Sequence, residues 1–355
     1  MMNNFYEKIF LCVDKDLNDL PLFLEDKNIF ITGSTGFIGG YILNYLCWIK
    51  TKYSFDCKIT LALRSKSNLH KILLPKYHKS SFLEILTIDL MNKEAISALN
   101  NIGCKYDLIL HAASPSSGKA YSNNKNGTMF INTLIVDSLF KILKNKQSTF
   151  MYFSTSGIYG IHNDDKYPLK EETISRLNHL DSKNIYLMSK LTGETILNTL
   201  SEIYEKRIVI LRPSINYGPY LNPKDGRALS DFLVNALKKS VITIKSKGKS
   251  MRNYCFISDT LSGIFIALVR GEKYKIYNLA HDKEISIIDL ADLISKKTNS
   301  KVEVLNQEGN HLGLDFNRTL MNCEKLKSIG WNAKVSLEDG LEPTIKYFEE
   351  YLESN

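Results

Sequence analysis

Cysteine is scarce and unpaired in this sequence: six in 355 residues, no CxxC, and no histidine at ligand spacing from any of them. That pattern argues against a zinc site and a disulfide framework. No metal is expected, and Cys12, Cys47, Cys57, Cys104, Cys255 and Cys323 read as free, mostly buried thiols. Long apolar runs are also missing; none approaches the roughly 20 residues of a membrane span. The opening segment, "MMNNFYEKIFLCVDKDLNDL", is broken by Glu7, Lys8 and Asp14 and lacks a signal-peptide core, so the expected location is cytoplasmic. Positive charge is in excess, at +8, but its lysines are scattered and the one dense basic stretch, "KSKGKSMR" (245–252), is short. Nucleic acid is therefore not an expected partner, nor is a membrane. A solvated lysine-rich surface accounts for most of the charge, and a positively biased cleft for an anionic small molecule fits the rest. There is no internal repeat and no low-complexity linker.

What is present is a regular alternation. After one or two short helices in residues 1–26, "NIFIT" (28–32) is a short apolar run ending in glycines, the pattern of a buried parallel strand. A helix, "GFIGGYILNYLCWIK", follows. Further strands are read at "KITLALR" (58–64), "LEILTIDL" (83–90), "YDLILHAAS" (106–114), "TFMYFSTS" (149–156) and "RIVILRP" (207–213). A long helix from about Thr128 to Lys144 precedes the fifth strand, and a helix carrying "IYLMSK" (185–190) precedes the sixth. Strands alternating with helices predict an α/β protein with a doubly wound parallel sheet and ligands at the strand C-termini. Past Pro213 the pattern changes to loops such as "NYGPYLNPKDGR" (216–227) and short mixed elements. The expected division is a helical extension (1–26), a dinucleotide-binding Rossmann-type domain (27–212) and a mainly substrate-binding, smaller C-terminal lobe (213–355).

"TGSTGFIGG" (32–40) spaces Gly33, Gly36 and Gly39 between a strand and a helix. Glycine lets the backbone turn tightly and approach a pyrophosphate, and the helix start offers free N–H groups to it. Thr35, Gly36, Phe37, Ile38 and Gly39 belong to this expected phosphate cradle. At the end of the second strand stand Arg64, Ser65 and Lys66, where an acid would accept the ribose hydroxyls of NAD. An arginine and a serine suit a 2′-phosphate, so NADP is the expected cofactor, with NAD the alternative. Asp89, beside Leu90 after the third strand, is placed to meet the adenine.

With these pieces in place the chain resembles the extended short-chain dehydrogenase/reductases, the NAD(P)-dependent nucleotide-sugar epimerases and dehydratases. The motifs that carry the resemblance are "TGSTGFIGG", "HAAS", "FSTSGIYG", "YLMSK" and "NYGP", with "MRNYCFISD" and "LKSIGW" extending it toward the C-terminus. The stretch "DGRALSDFLVNALKKSVITI" looks most like UDP-glucuronate decarboxylases and their neighbours. The resemblance implies that Ala112, Ala113 and Ser114 of "HAAS" join the cofactor site. It implies that Tyr186 is the acid/base and Lys190 its partner, which also binds the nicotinamide ribose. A free phenol titrates near 10, and an ammonium one helical turn away is expected to lower that value. Thr155 matches the Ser/Thr that hydrogen-bonds the reacting hydroxyl. At the next two positions the family's dehydratases carry an Asp-Glu pair and its decarboxylases a Glu at the second; this chain has Ser156 and Gly157. Arg252 matches an arginine that contacts the substrate diphosphate, with Arg227 of "DGR" a second candidate. "RPSINYGP" has Ile215 where the family often has a phosphate-contacting Asn, and moves an Asn to 216. Ser156, Asn216, Arg227 and Arg252 are the expected substrate contacts.

The resemblance implies an enzyme of surface glycan biosynthesis acting at C4 of a nucleotide-diphosphate sugar. An epimerase needs only cofactor, Tyr186, Lys190 and Thr155. A 4-keto-sugar reductase using NADPH needs the same residues. Dehydratase or decarboxylase comes behind these because of Ser156 and Gly157, and a non-catalytic NADP-binding sensor behind them all, since Tyr186 and Lys190 are both kept. Family members commonly dimerise through a four-helix bundle. The helix of Tyr186 and the one spanning Thr128 to Lys144 are the equivalents here, the latter offering Ile131, Leu134, Ile135, Leu139 and Ile142.

Overall fold

A computed structural model describes residues 2–272, 275–305 and 318–354. Helices α1 (Met2–Asp14) and α2 (Leu20–Leu24) lead into β1 (Lys27–Thr32), α3 (Phe37–Tyr53), β2 (Cys57–Leu63), β3 (Leu83–Thr87) and α4 (Glu94–Asn100). Next come β4 (Leu108–His111), α5 (Gly118–Asn123), α6 (Lys125–Asn132), α7 (Leu134–Lys141), β5 (Thr149–Phe153), α8 (Ile185–Tyr204) and β6 (Arg207–Pro213). The chain continues through β7 (Ile215–Tyr217), α9 (Ala228–Lys239), β8 (Val241–Ile244), β9 (Met251–Phe256) and α10 (Ile257–Arg270). It finishes with β10 (Lys275–Leu279), β11 (Glu284–Ser286), α11 (Ile287–Thr298), β12 (Lys301–Val304), α12 (Glu324–Ser328) and α13 (Leu337–Glu353).

Seven strands form one sheet in the order β10-β6-β5-β4-β1-β2-β3, every neighbouring pair parallel. This is a doubly wound, Rossmann-like α/β architecture. Helices cover both faces, so β4, β5 and most of β1 and β6 are buried on both sides and read as unbroken apolar runs. The pleat divides them between two cores: Ile29 and Ile31 point into one, Phe30 into the other. The strand order turns back between β1 and β4, which opens a crevice at their C-terminal ends. Register sets what meets there. Thr32 pairs with His111, and His111 with Tyr152, so the glycine loop, the "HAAS" segment and the "STS" segment leave the sheet at one level.

Two features depart from the reading of the sequence. The seventh strand, β10, comes from beyond residue 213 and adds to the edge of β6. The long helix expected from Thr128 to Lys144 is two helices, α6 and α7, broken at Thr133 (φ −126°, ψ −81°). The break turns the apolar stripe inward. Ile131, Ile135, Leu139 and Ile142 are all buried within the subunit, and of the five apolar residues read there only Leu134 is exposed, at 55%.

The rest of the C-terminal half builds two small sheets, β11-β9-β7 and β12-β8, with α9, α11 and α13 around them. The segment Ile257–Leu268 of α10 is buried on all sides, and α1 and α2 both pack against this helix. Residues Tyr6, Ile9, Phe10 and Val13 give α1 one apolar face, at the spacing of a helix stripe. Arg270 pairs with Asp19, and Lys334 with Asp16, so the N-terminal segment is tied to the C-terminal one.

Candidate active site

The glycine loop runs from the end of β1 into α3. Gly33 has φ +73°, a backbone state that strains any side chain, and a methyl group added there would lie 2.5 Å from the Ala113 nitrogen. One at Gly39 would lie 2.1 Å from the Gly33 oxygen. The loop is thus folded tightly against "HAAS". A chain of hydrogen bonds holds that packing. His111 Nε2 lies 3.0 Å from the Ile131 oxygen and its Nδ1 2.8 Å from Thr32 Oγ1. Thr32 Oγ1 in turn accepts the Ala113 N–H at 3.2 Å. Burial pushes His111 down to about 3, Lys190 adding to the effect, so the ring is neutral; Nε2 donates to the carbonyl and Nδ1 accepts from the threonine. At the start of α3, Gly36 is an N-cap without a side-chain bond, and the N–H groups of Phe37, Ile38 and Gly39 have no helical acceptor one turn back. These groups, with small residues around them, fit the pyrophosphate of a dinucleotide.

Arg64 and Lys66 are exposed at the end of β2, and Ser65 caps a 3₁₀ turn by accepting the Ser67 N–H at 3.3 Å. Two cations and a hydroxyl therefore stand in the solvent-facing position expected for the adenosine ribose. Asp89 spends Oδ1 on the Met91 N–H at 3.0 Å, holding the turn after β3, with Leu90 buried behind it. Ala112, Ala113 and Ser114 are half-buried beside the glycine loop.

Tyr186 lies in the first turn of α8, buried but for 9% of its surface. The Tyr121 ring of α5 stacks on it, with centroids 5.3 Å apart and planes within 7°. Burial pushes the phenol up to about 12. Against burial act the positive charge of Arg227 and a hydrogen bond from Thr155, which caps the turn after β5. This corrects the expectation that Lys190 supplies the lowering. Lys190 is turned into the subunit: Nζ donates to the Phe153 oxygen at 2.7 Å and sits 4.6 Å from the centre of the Tyr152 ring. Burial pushes its ammonium down to about 7, and Glu194 opposes that. One of three N–H donors is used by Phe153, which leaves two for a bound ribose.

On the C-terminal side, Arg227 is the N-cap residue of α9 and is paired with Asp225. Arg252, on β9, donates to the Met251 oxygen at 2.8 Å. Both guanidiniums act on Tyr254, a buried phenol that burial pushes up to about 12. The two arginines read from the sequence thus share a neighbour that the sequence did not single out. Asn216 is different. It is 6% exposed, donates to the Ser214 oxygen at 3.0 Å and accepts from Thr260 Oγ1 at 2.6 Å. The amide that was expected to meet substrate instead ties β7 to α10, because a buried polar side chain has to be satisfied where it lies. A cavity of about 850 Å³ links the cofactor loop to the arginine side; Thr35, Phe37, Tyr220 and Arg227 line it, and Phe5 and Tyr6 of α1 form part of its wall.

Ser156 is half-buried and follows Thr155 directly. Gly157 is buried, and a methyl group added to it would lie 2.6 Å from Leu187 Cδ2. The space that a side chain at 157 would enter is filled by the neighbour of Tyr186. Other groups escaped the sequence reading: Tyr121, Tyr152, Glu194, Arg212 and Tyr254. For Glu194 a signal existed, since Tyr186, Lys190 and Glu194 repeat every four residues on one helix face. Among the described residues no cluster of three or more His, Cys, Asp or Glu is placed to hold a metal, and no helix is long and apolar enough to cross a membrane.

Comparison with known proteins follows the same lines. UDP-glucuronic acid decarboxylase 1 of Xenopus tropicalis is 26% identical over 332 residues, 93% of this chain and 74% of the relative. Among solved structures, an epimerase from Methanothermobacter thermautotrophicus superposes with a TM-score of 0.79 at 22% identity, covering 96% of this chain and 97% of that one. UDP-glucuronic acid 4-epimerase from Bacillus cereus, solved with UDP-glucuronic acid and NAD, gives 0.73 at 21%, covering 91% and 99%. These two likenesses establish the shared fold. The model of the NAD dependent epimerase/dehydratase family matches residues 29–280, from β1 through the central sheet to the end of β10, and the chain belongs to that family.

Proposed function

We propose that the protein is a nucleotide-sugar epimerase that works by hydride transfer at C4 of a nucleotide-diphosphate sugar. The observation that carries the reading is the pairing of an assembled proton-transfer group with a closed second-acid position. Tyr186 has a hydrogen bond from Thr155 and feels the charge of Arg227, while the place where the dehydratases and decarboxylases of the family carry an acid is a buried glycine against Leu187. When bound, the nicotinamide supplies the hydride acceptor and donor. Tyr186 takes the C4 hydroxyl proton as the C4–H bond breaks and a 4-ketone forms, and returns the proton after the sugar has presented its other face. Thr155 holds the reacting oxygen, and Lys190 binds the nicotinamide ribose with the two donors that Phe153 does not use. Arg227 and Arg252 fit the diphosphate, since planar guanidiniums bind phosphate oxygens in pairs. Arg64, Ser65 and Lys66 favour NADP at the ribose end.

Two other readings have support. A 4-keto-sugar reductase would use the same residues, and an NADP preference suits it. UDP-glucuronate decarboxylation is favoured by the sequence likeness to UDP-glucuronic acid decarboxylase 1 and disfavoured by Gly157. Incubation with UDP-, GDP-, CDP- and dTDP-sugars, with and without NADPH, separates the three. Turnover without net redox change supports the epimerase, stoichiometric NADPH loss on a 4-keto sugar the reductase, and release of CO₂ from UDP-glucuronate the decarboxylase. No turnover of any sugar nucleotide would sink the enzyme reading and favour the sensor.

We also propose a homodimer through the outer surface of α6, α7 and α8. Met129, Leu134 and Ile203 are exposed there. Thr192, Thr195 and Thr199 are exposed on one side of α8, and their hydroxyls are already bonded to carbonyls four residues back. Light scattering should give twice the monomer mass, and a monomer at micromolar concentration would reject it.

A further inference from the structure

Helix α8 carries a third functional position one turn beyond the lysine. Tyr186, Lys190 and Glu194 recur every four residues, and 9%, 2% and 3% of their surfaces are exposed. A carboxylate this deeply buried is costly unless it is paired. Here it is paired from one side: Arg212, from β6, donates Nε to Oε1 at 3.1 Å and Nη2 to Oε2 at 2.6 Å. Arg212 is itself held, its Nη1 donating to Tyr159 Oη at 2.9 Å and to the Glu171 oxygen at 2.8 Å. Tyr159 passes the constraint on to Asn278 of β10, 2.7 Å away. The guanidinium is therefore fixed by four bonds to three residues, and the carboxylate is fixed by the guanidinium. Lys190, by contrast, donates to the neutral Phe153 carbonyl and lies against an aromatic face. Its own burial works against its charge.

We infer that Glu194, clamped by Arg212, is a positioning residue for the reaction: its carboxylate keeps Lys190 charged and in place at the back of the active site. The inference rests on the reading of Lys190 as a working member of that site. The pair has a direction, with the negative end on the helix that carries Lys190 and the positive end on the neighbouring strand. The other titratable groups facing Lys190 do not substitute for it. His111 on β4 is neutral and Tyr152 on β5 is a buried neutral phenol. Tyr186, on the same helix, is held protonated by burial, and Arg212 has the wrong sign. Glu194 is the one negative charge acting on the ammonium among the described residues.

Signs of shift give the test. Glu194→Gln keeps the shape and removes the charge, so Lys190 loses its proton at lower pH. The basic limb of kcat/KM then moves down by roughly one pH unit, the low end of the effect of a nearby opposite charge, because Arg212 shares the carboxylate. Arg212→Gln leaves the carboxylate uncompensated, and the same limb moves up. Glu194→Asp steps the charge back by one methylene and gives a smaller shift down. Cofactor affinity measured by calorimetry across pH, with no turnover involved, should show the same three displacements. A role confined to packing would lower rate or stability and leave the limbs in place. Any one folded variant decides: displacement in the stated direction supports the inference, and limbs that coincide with the parent's in both kcat/KM and cofactor affinity overturn it. Lys190→Ala separates this from the catalytic reading. If Lys190→Ala retains full activity, that reading fails and the inference falls with it. If Lys190→Ala is inactive and Glu194→Gln leaves the limbs unmoved, only the inference fails.

Discussion

Gly157 offers the sharpest link between packing and reaction type. A methyl group there would stand 2.6 Å from Leu187 Cδ2, 3.5 Å from Cδ1 and 3.7 Å from Cγ. Ordinary carbon contacts begin near 3.5 Å, so Leu187 has to give by about 1 Å. It has little room to do so, being 1% exposed and directly after Tyr186. Gly157→Ala should cost about 1–3 kcal/mol, the usual range for overpacking. Leu187→Ala should cost about 2–5 kcal/mol by loss of burial and the cavity it leaves. If the two sites were independent, the double variant would lose roughly 3–8 kcal/mol. The contact predicts otherwise: the new methyl occupies part of the vacated volume, so the double variant should lose no more than Leu187→Ala alone, a coupling of about 1–3 kcal/mol. Urea unfolding of the parent, both single variants and the double would measure it. Additivity within about 0.5 kcal/mol would refute the packing argument. The chemical counterpart uses Gly157→Glu. Alone it should yield neither dehydration nor CO₂ release, because Leu187 bars the carboxylate from the site. A stable Gly157→Glu protein that decarboxylates UDP-glucuronate would show the position to be open.

Other perturbations probe the remaining assignments. Tyr186→Phe keeps the ring stacked on Tyr121 and removes the hydroxyl that moves the proton, so turnover should fall by about 10²–10⁴-fold with cofactor affinity unchanged; a near-parental rate would end the catalytic assignment. Arg64→Asp should reverse a preference for NADP over NAD in calorimetry, and equal affinities in the parent would remove its basis. Asp259 accepts the N–H groups of Lys334 and Val335, yet burial raises its carboxyl from the usual 3.8 to about 6. The folded protein therefore holds this proton more tightly than the unfolded chain does. The stabilisation is complete below about pH 4 and lost as pH rises to about 6, on the order of 3 kcal/mol. Asp259→Asn should flatten that part of the stability profile, and an unchanged slope between pH 4 and 6 would count against the shift.

The sequence alone carried whatever depends on near neighbours along the chain. The inner strands β1, β4, β5 and β6 were legible because a strand buried on both faces must be an unbroken apolar run, and the glycine loop because a tight turn into a helix needs Gly33 at positive φ. Tyr186 and Lys190 could be paired from spacing, since a helix puts residues four apart on one face. Where strands were read too long, as in "LEILTIDL" and "TFMYFSTS", the excess residues are those that leave the ladder to form the site loops. Tertiary structure decided what depends on contacts between distant segments. Leu187 fills the space beside Gly157, Arg212 of β6 reaches Glu194 of α8, and Tyr121 covers Tyr186. Asn216 turns to Thr260 rather than to substrate, and β10 adds to β6 from 62 residues beyond its end. The inward turn of Lys190 belongs to the same class. Spacing placed its ammonium one turn from the phenol, but the direction in which the side chain points, and the balance between burial and charge that sets its protonation, follow from what β4, β5 and β6 put around it.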